Sequence, residues 1–319
     1  MPLPTGDVIG ILADNLRLRK SVLPISTRNA TRWARGLDLP HGGETVIYTG
    51  LMYQLIPYIE GLVKAETRLA DSPLARLTPL GRRLNRVVNI SAFMARPSAG
   101  MKALYDQVPI NVARLLRQAG VEFGYLYKDD LYTGALAHDL GADEVVLEHA
   151  RRVHGVLKKH GVKTAITLDP HTTNMLRSVY PKLLSDFDVQ VKTYLEVLAE
   201  KEPIPRTALS GELVIHDSCV FSRYENIVDE PRTLLVATGM KIKEPEKSGR
   251  MTWCCGGPVE SLYPDKAHAN AQKRVEQLRA AGSEVVTMCP MCYVNLSGAA
   301  PEGVVFNDIS HYLYRAFVA

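Results

Sequence analysis

Five cysteines, all in the last third of the chain, are the residues best suited to chemistry. They are Cys219, Cys254, Cys255, Cys289 and Cys292, and the 319-residue sequence contains no others. Their spacing is Cys-x34-Cys-Cys-Gly-x32-Cys-x2-Cys. Thiolates are soft ligands that select zinc or iron–sulfur centres. The spacing therefore indicates a metal centre held by sulfur.

The adjacent cysteines Cys254 and Cys255 favour a centre with several metal atoms over a single ion. A structural zinc takes four ligands in a tetrahedron, and neighbouring side chains diverge unless the backbone bends. Gly256 and Gly257 follow the pair; they permit unusual backbone angles and a close approach of N–H groups to sulfur. We expect one iron–sulfur cluster bound by all five cysteines. A zinc-binding structural protein and buried structural thiols are the alternatives.

Strands and helices alternate in the C-terminal half and predict the surroundings of the cysteines. Apolar runs predict strands at 211–217, 283–288 and 303–308. Helical patterns lie at 230–239 and 264–282, and further helices are expected after residues 289 and 308. Such alternation is typical of a parallel sheet covered on both faces. Ligands on these sheets collect beyond the carboxyl ends of the strands, where Cys219 and Cys289 are expected.

The N-terminal half repeats this pattern without cysteines. A constant shift places "TAITLDPHTTNML" (164–176) on "EVVTMCPMCYVNL" (284–296), so that Asp169 falls on Cys289 and Thr172 on Cys292. The other ligand positions are matched by Leu51, Leu131 and Tyr132. We interpret this as an internal duplication whose first copy has lost its metal ligands. Chance similarity of two βα units is the alternative.

The duplication predicts two domains and an α/β fold. An N-terminal lobe is expected at residues 1–205 and a C-terminal lobe at 206–319, each with a parallel βαβ sheet covered by helices. A basic, proline-bearing insert at about 67–105 interrupts the first lobe. It is expected to be a helical excursion over the surface. The two lobes should be related by pseudo-two-fold symmetry.

Several polar residues near the cysteines have more than one interpretation. His216 and Asp217 precede Cys219 and could fix its loop through hydrogen bonds. Equally, His216 could be a buried histidine at the end of a strand. Tyr132 is expected to fill the space of the missing cluster, with its hydroxyl bound to a partner.

A second polar group lies in the N-terminal half. His171 with Asp169 could form a small metal or acid–base site, to which His138 and Asp139 could contribute. Asp169 is expected instead to cap the helix that begins at Pro170.

The cysteine motifs resemble a known domain. The Cys-Cys-Gly block, the "HDSC" strand end, "EPRTLL" and "CPMC" opening a helix are similar to the cysteine-rich CCG domain. That domain occurs in the HdrB component of heterodisulfide reductase and in iron–sulfur subunits of glycolate, lactate, glycerol-3-phosphate and succinate-type dehydrogenases. The resemblance covers residues 211–298, and the degenerate copy extends it back to about residue 44. It implies a non-cubane [4Fe–4S] cluster whose ligands are the five cysteines.

The resemblance also implies a function. In family members with two clusters, a disulfide is thought to be split between the two clusters. This chain has cysteines for one cluster and does not do this by itself. A redox subunit of a heterodisulfide-reductase-like complex is implied, acting on a thiol, disulfide or sulfane-sulfur substrate whose organic part lies in the emptied N-terminal pocket. A ferredoxin-like cubane-cluster subunit and a flavoprotein subunit are the implied partners. The alternative is a non-catalytic electron-relay or assembly subunit of a glycolate-, lactate- or succinate-type dehydrogenase complex.

The bulk properties argue against other classes. A net charge of +4 gives no argument for nucleic-acid binding. The sequence contains no uncharged apolar run of about 18 residues, so no membrane span is expected. The N-terminus does not resemble a secretory signal. An odd number of clustered cysteines favours a reducing cytoplasm over a disulfide framework. The glycine motifs of nucleotide sites are absent, so electrons are expected to enter from another subunit.

Overall fold

The computed structural model describes residues 5–23, 25–70 and 97–319. Its strands are β1 Thr45–Tyr48, β2 Gly124–Tyr125, β3 Thr164–Thr167, β4 Gln190–Thr193, β5 Glu212–Ile215, β6 Lys241–Lys243, β7 Glu284–Thr287 and β8 Val305–Asp308. Its α-helices are α1 Thr5–Arg19, α2 Thr27–Ala30, α3 Met52–Ala70, α4 Ala99–Gln118, α5 Ala135–Asp139, α6 Asp143–Lys159, α7 Pro170–Asn174, α8 Tyr180–Leu183, α9 Tyr194–Glu200, α10 Asp229–Ala237, α11 Pro264–Ala281, α12 Pro290–Ala299 and α13 Ile309–Phe317. Within these ranges every helix is too short or too polar to cross a bilayer.

The strands form two parallel sheets with the same order. The first runs β2-β1-β3-β4 and the second β6-β5-β7-β8, and every pairing in both is parallel. Each sheet therefore places its first and third strands in the centre, where they are buried by helices on both faces. The predicted α/β fold with two pseudo-symmetric lobes is confirmed.

The central elements of the C-terminal lobe lie where the sequence predicts them. β5, β7 and β8 fall within the three predicted apolar runs, and α10, α11, α12 and α13 follow in the expected places. Gly239 takes a left-handed conformation (φ +96°) just after α10, as expected of a residue that ends a helix. The sequence pattern does not predict the edge strands β2, β4 and β6. They are short or carry exposed charges, as in the "KIK" of β6.

Direct contacts join the two lobes. Tyr53 on α3 donates its hydroxyl proton to Asp308 Oδ2 at the end of β8, at 2.7 Å. Glu225 accepts hydrogen bonds from Asn174 at 2.7 Å and Ser178 at 2.8 Å. The carboxyl ends of the two sheets therefore approach each other across one interface.

The predicted insert at about 67–105 is only partly described. Its middle, 71–96, lies outside the described residues, whereas its flanks belong to the end of α3 and the start of α4. α4 begins after Ser98, whose side chain accepts a hydrogen bond from the Met101 N–H. It packs against both α3 and α13. The predicted domain boundary at 205/206 stays a prediction.

Candidate metal centre

Three loops at the carboxyl edge of the second sheet bring the five cysteines together. Cys219 lies four residues after the last residue of β5, Ile215, and begins a wide helical turn, Val220–Glu225. Cys289 follows β7 and precedes α12, which carries Cys292 in its first turn. Cys254 and Cys255 lie in the long connection between β6 and α11. Parallel strands end at one edge, so these loops meet there.

The sulfur atoms form a continuous series of contacts. Cys219 Sγ lies 3.9 Å from Cys254 Sγ. Hydrogen-bonding contacts then link Cys254 to Cys255, Cys255 to Cys292, and Cys292 to Cys289. Cys255, Cys289 and Cys292 are buried, whereas Cys219 and Cys254 are half-buried. The predicted residues therefore form one site with a buried side and a partly open side.

Two of the sulfurs are favoured as thiolates. Hydrogen bonds from the thiols of Cys219 and Cys255 lower the pKa of Cys254 to about 2. Burial raises the pKa of Cys289, but hydrogen bonds from Cys292 and His171 outweigh burial and hold it well below the ordinary value. Thiolates are the form in which cysteine binds metals. The pKa values of Cys219, Cys255 and Cys292 are raised, first of all by hydrogen bonds to the neighbouring sulfurs. Two thiolates and three thiols thus form the set of sulfurs that a soft metal centre would bind.

Gly256 makes the bend after the cysteine pair. Its φ is +84°, and a Cβ built on it would lie 2.7 Å from the Ala267 carbonyl oxygen. Its N–H donates to Cys254 Sγ at 3.3 Å. The left-handed backbone and the N–H directed at sulfur agree with the expectation from the sequence. Glycine is needed for the positive φ and for the close approach of the Ala267 carbonyl.

Asp217 fixes the loop that leads to the cysteine pair. Its carboxylate accepts two hydrogen bonds from Arg232, at 2.8 and 2.9 Å, and one from the Gly249 N–H at 2.6 Å. Its backbone carbonyl accepts from Thr252 Oγ1 at 2.9 Å. The end of β5 is thereby tied to residues 249–252, directly before Cys254. For Asp217, the structure agrees with the loop-fixing interpretation.

His216 is buried and only half of its ring is satisfied. Arg274 Nε donates to His216 Nδ1 at 3.1 Å, whereas Nε2 is buried without a partner in the described residues. Burial lowers the pKa of His216 to about 3, and the nearby Arg274 charge lowers it as well. The ring is therefore neutral. Both interpretations from the sequence hold in part, since His216 is a buried strand-end residue with one free donor.

Arg274 was missed by the sequence reasoning. It lies on α11 and is fully buried, with hydrogen bonds to the Lys247 carbonyl at 2.8 Å and to Gln277 at 2.9 Å. The signal that could have found it is its position in the helix. The other buried residues of α11 are Ala267, Ala271, Val275 and Leu278. An arginine on this apolar face needs a polar or charged partner inside the protein.

These groups fit an anionic iron–sulfur cluster. Burial lowers the pKa of Arg274 to about 10, and the charges of Asp217 and Cys292 oppose that shift. A buried cation is costly unless negative charge faces it, and thiolates bound to a cluster provide such charge. The free Nε2–H of His216 is a donor that sulfur can accept. Within the described ranges, no three histidine, cysteine or acidic side chains, the five cysteines included, already stand in the arrangement of ligands around a metal ion.

The corresponding positions of the N-terminal lobe are filled with side chains. All five are buried: Leu51, Leu131, Tyr132, Asp169 and Thr172. Asp169 Oδ1 accepts from the Thr172 N–H at 2.9 Å, which is the predicted helix cap. The Tyr132 hydroxyl accepts from the Leu136 N–H at 2.7 Å, the partner that the sequence reasoning expected. The expectation that these positions hold the organic part of a substrate finds no support in this packing.

His171 connects the emptied lobe to the cysteines. Its buried ring hydrogen-bonds to Cys289, and its Nδ1 lies 3.9 Å from Asp139 Oδ2. Burial lowers the pKa of His171, but Cys289 and the nearby carboxylates outweigh burial and raise it to about 9. With Met291 and Pro258 the ring lines a cavity of about 20 Å³, which holds about one water. Sequence reasoning did not foresee this contact across the lobes.

The second polar group of the sequence analysis is assembled only in part. His171 and Asp139 face each other, whereas Asp169 is engaged as a helix cap. His138 lies on α5 next to Asp139 and is half-buried. No metal site in the described residues includes these side chains. Of the predicted metal or acid–base site, the structure brings together His171 and Asp139, which could act as an acid–base pair.

Comparisons with known proteins agree with this site. Residues 213–297 match the family model of the CCG cysteine-rich domain. The chain is 31% identical over 225 residues to a probable iron-sulfur-binding oxidoreductase, FadF, of Bacillus subtilis, covering 67% of this chain and 32% of the relative. It is 28% identical over 229 residues to the EtfAB:quinone oxidoreductase of Syntrophomonas wolfei, covering 66% and 32%.

A third relative is one of the subunits of the dihydromethanophenazine:CoB–CoM heterodisulfide reductase of Methanosarcina mazei. It is 28% identical over 211 residues, covering 62% of this chain and 52% of the relative. The chain thus spans about a third to a half of the length of these relatives. The domain match contains all five cysteines. The second lobe of the chain is therefore a cysteine-rich CCG domain, whereas the first lobe lacks its cysteines.

Proposed function

We propose that this chain is the iron–sulfur redox subunit of a cytoplasmic heterodisulfide-reductase-like complex. It holds one [4Fe–4S] cluster, of the non-cubane type, through Cys219, Cys254, Cys255, Cys289 and Cys292. The observation that carries the proposal is the convergence of all five cysteines at one sheet edge, beside a buried guanidinium. Relatives named as an iron-sulfur-binding oxidoreductase and as a heterodisulfide reductase subunit support it.

The reaction we propose is electron exchange with a thiol, disulfide or sulfane-sulfur substrate. When bound, the cluster supplies or accepts single electrons. Reduction of a disulfide to two thiols takes two electrons and two protons, so electrons must arrive in turn from partner subunits. We assign that role to a ferredoxin-like cubane-cluster subunit and a flavoprotein subunit. His171, which hydrogen-bonds to Cys289 and lies 3.9 Å from Asp139, is the side chain that we assign to contact with the substrate sulfur.

A second candidate is a non-catalytic electron relay in a glycolate-, lactate- or succinate-type dehydrogenase complex. The filled N-terminal positions favour it, since Tyr132 and Thr172 are buried where the organic part of a substrate was expected. The cavity beside His171 also has only about 20 Å³ of space. A relay needs only an edge close to a partner, and the half-buried Cys219 and Cys254 provide one.

One experiment tests both candidates. The protein is purified without oxygen and reconstituted, and iron and sulfide per chain are measured together with the electron paramagnetic resonance spectrum. About four irons per chain support the cluster. A spectrum that changes when a small disulfide is added supports the substrate-binding subunit, whereas an unchanged spectrum supports the relay.

The ligand set is tested separately with Cys255→Ser. Cys255 contacts both Cys254 and Cys292, so it lies in the middle of the series of sulfurs. We expect the variant to lose iron or to show an altered spectrum. Full iron content with the native spectrum would count against binding by five cysteines.

A further inference from the structure

We propose that His216 is a positioning residue of the metal centre. Its Nε2 donates a hydrogen bond to a sulfur of the cluster or of a cluster ligand, on the side of the site where Cys254 lies, and Arg274 holds its ring in place. This inference rests on the proposed function, because the acceptor is a sulfur of the cluster or of its ligand. It assigns a role to two residues that the cysteine motif does not include.

The tautomer of His216 is fixed by Arg274. A guanidinium carries donors and no acceptor, so the 3.1 Å contact between Arg274 Nε and His216 Nδ1 requires Nδ1 to accept. The single ring proton of a neutral histidine then lies on Nε2. The Arg274 side chain is itself held by the Lys247 carbonyl, Gln277 and Thr252. The ring therefore has one orientation and one donor.

That donor has no partner among the described residues. His216 Nε2 is buried, and a buried N–H without an acceptor is destabilising. His216 lies three residues before Cys219, and Arg274, which holds its ring, also donates to Thr252 Oγ1 at 3.4 Å, two residues before Cys254. The ring therefore lies on the side of the site where Cys219 and Cys254 meet. Sulfur carrying negative charge is the acceptor that this part of the chain offers.

The arrangement predicts an effect on the reduction potential. An N–H directed at sulfur stabilises the more negative, reduced state of a cluster and so raises its potential. The buried Arg274 guanidinium acts in the same direction, since it places positive charge next to the site. Loss of the His216 donor should therefore make the cluster harder to reduce.

Three variants of the reconstituted full chain test this. His216→Phe keeps a ring but removes the donor and the acceptor, and we expect a more negative midpoint potential. His216→Gln retains an acceptor for Arg274 and an N–H, and we expect a potential close to that of the wild type. His149→Phe is the matched control, because His149 is equally buried in the other lobe, next to the Tyr132 carbonyl. It should leave the potential unchanged.

A second measurement does not depend on His216→Phe folding. Wild type and His216→Gln are grown with ¹⁵N-labelled histidine, and pulsed paramagnetic resonance records the nitrogens coupled to the reduced cluster. We expect one histidine coupling in the wild type to be missing from His216→Gln, while any coupling from His171 remains. Identical spectra, or a His216→Phe potential equal to the wild-type value, would overturn the inference and leave the cluster assignment intact. A wild-type protein that binds no iron would remove the proposed function itself.

Discussion

Replacing Asp217 tests whether the loop before the cysteine pair must be held in place for the metal centre to form. Asp217 is buried at the end of β5 and accepts hydrogen bonds from Arg232 and from the Gly249 N–H. Asp217→Asn has nearly the same volume. Its amide, however, replaces one acceptor by an NH₂ group that faces these donors. We expect the loop that ends at Cys254 to shift, and the variant to bind less iron.

The loss of stability follows from the same contacts. Removing one partner of a buried ion pair costs about 3–5 kcal/mol. Arg232 is 19% exposed and keeps Glu244, whose oxygens lie 2.8 and 3.0 Å from its nitrogens. Partial exposure and the remaining carboxylate place the cost at the lower end, about 3 kcal/mol. A domain with about 5–15 kcal/mol of stability stays folded after this loss.

The assay separates loop position from general stability. Urea unfolding of the reduced apoprotein gives the change in free energy, and iron per chain after anaerobic reconstitution gives the change in binding. The control is Glu196→Gln, which breaks the ion pair with Arg177 in the other lobe, where the two side chains are 24% and 22% exposed. It should lose similar stability and keep full iron. If Asp217→Asn also keeps full iron, the loop-positioning argument is refuted.

Three further substitutions have defined outcomes. Gly256→Ala places a Cβ 2.7 Å from the Ala267 carbonyl oxygen at φ +84°; we expect a loss of about 1–3 kcal/mol in urea unfolding and reduced iron binding, and normal values for both would contradict the strain argument. Burial raises the pKa of Asp130 to about 7 from 3.8. The contribution of the protonated carboxyl to stability is therefore complete below about pH 4, and it is lost as the pH rises from 4 through 7. Asp130→Asn should therefore flatten the fall in unfolding free energy between pH 4 and 8 by up to about 4 kcal/mol, and an unchanged slope would refute this assignment. Tyr53→Phe removes the 2.7 Å hydrogen bond to the buried Asp308 carboxylate across the lobes; a destabilisation of about 1–3 kcal/mol is expected, and none at all would mean that the contact does not join the lobes in solution.

The central strands were predictable from the sequence because helices cover both of their faces, which requires apolar residues. β5 and β7 are apolar runs that end at polar turns, and strands covered on both faces read in this way. The edge strand β6 was not predictable, since "KIK" has two lysines and only three residues. Its pairing with β5 depends on the neighbouring strand more than on its own residues. The helix α4 extends to Gln118 through Pro109, well beyond the expected end of the insert.

The cysteines could be located from the sequence, whereas the residues that support them could not. Cys219 and Cys289 could be placed from the sequence because each follows a recognisable strand. His171 and Arg274 could not, since their partners at the site are far away in the chain. Arg274 meets His216 across 58 residues, and His171 meets Cys289 from the other lobe. A local pattern contains the ligands of this site, but only the fold brings their supporting residues to them.

The two lobes share backbone conformations at the cysteine loops, although the first lobe has no cysteines there. Asp169 and Cys289 both precede a proline at a helix start, with φ of −133° and −144°. Gly134 and Gly256 each precede a helical turn in a left-handed conformation, with φ of +86° and +84°. The match of Leu131 and Tyr132 to Cys254 and Cys255 would instead place Gly134 on Gly257, so the structure shifts this part of the match by one residue. In the first lobe a helix cap and a tyrosine hydroxyl satisfy the backbone without thiolates. The first lobe therefore holds this turn with hydrogen bonds of its own side chains, as we expect of a copy that has lost its cysteines.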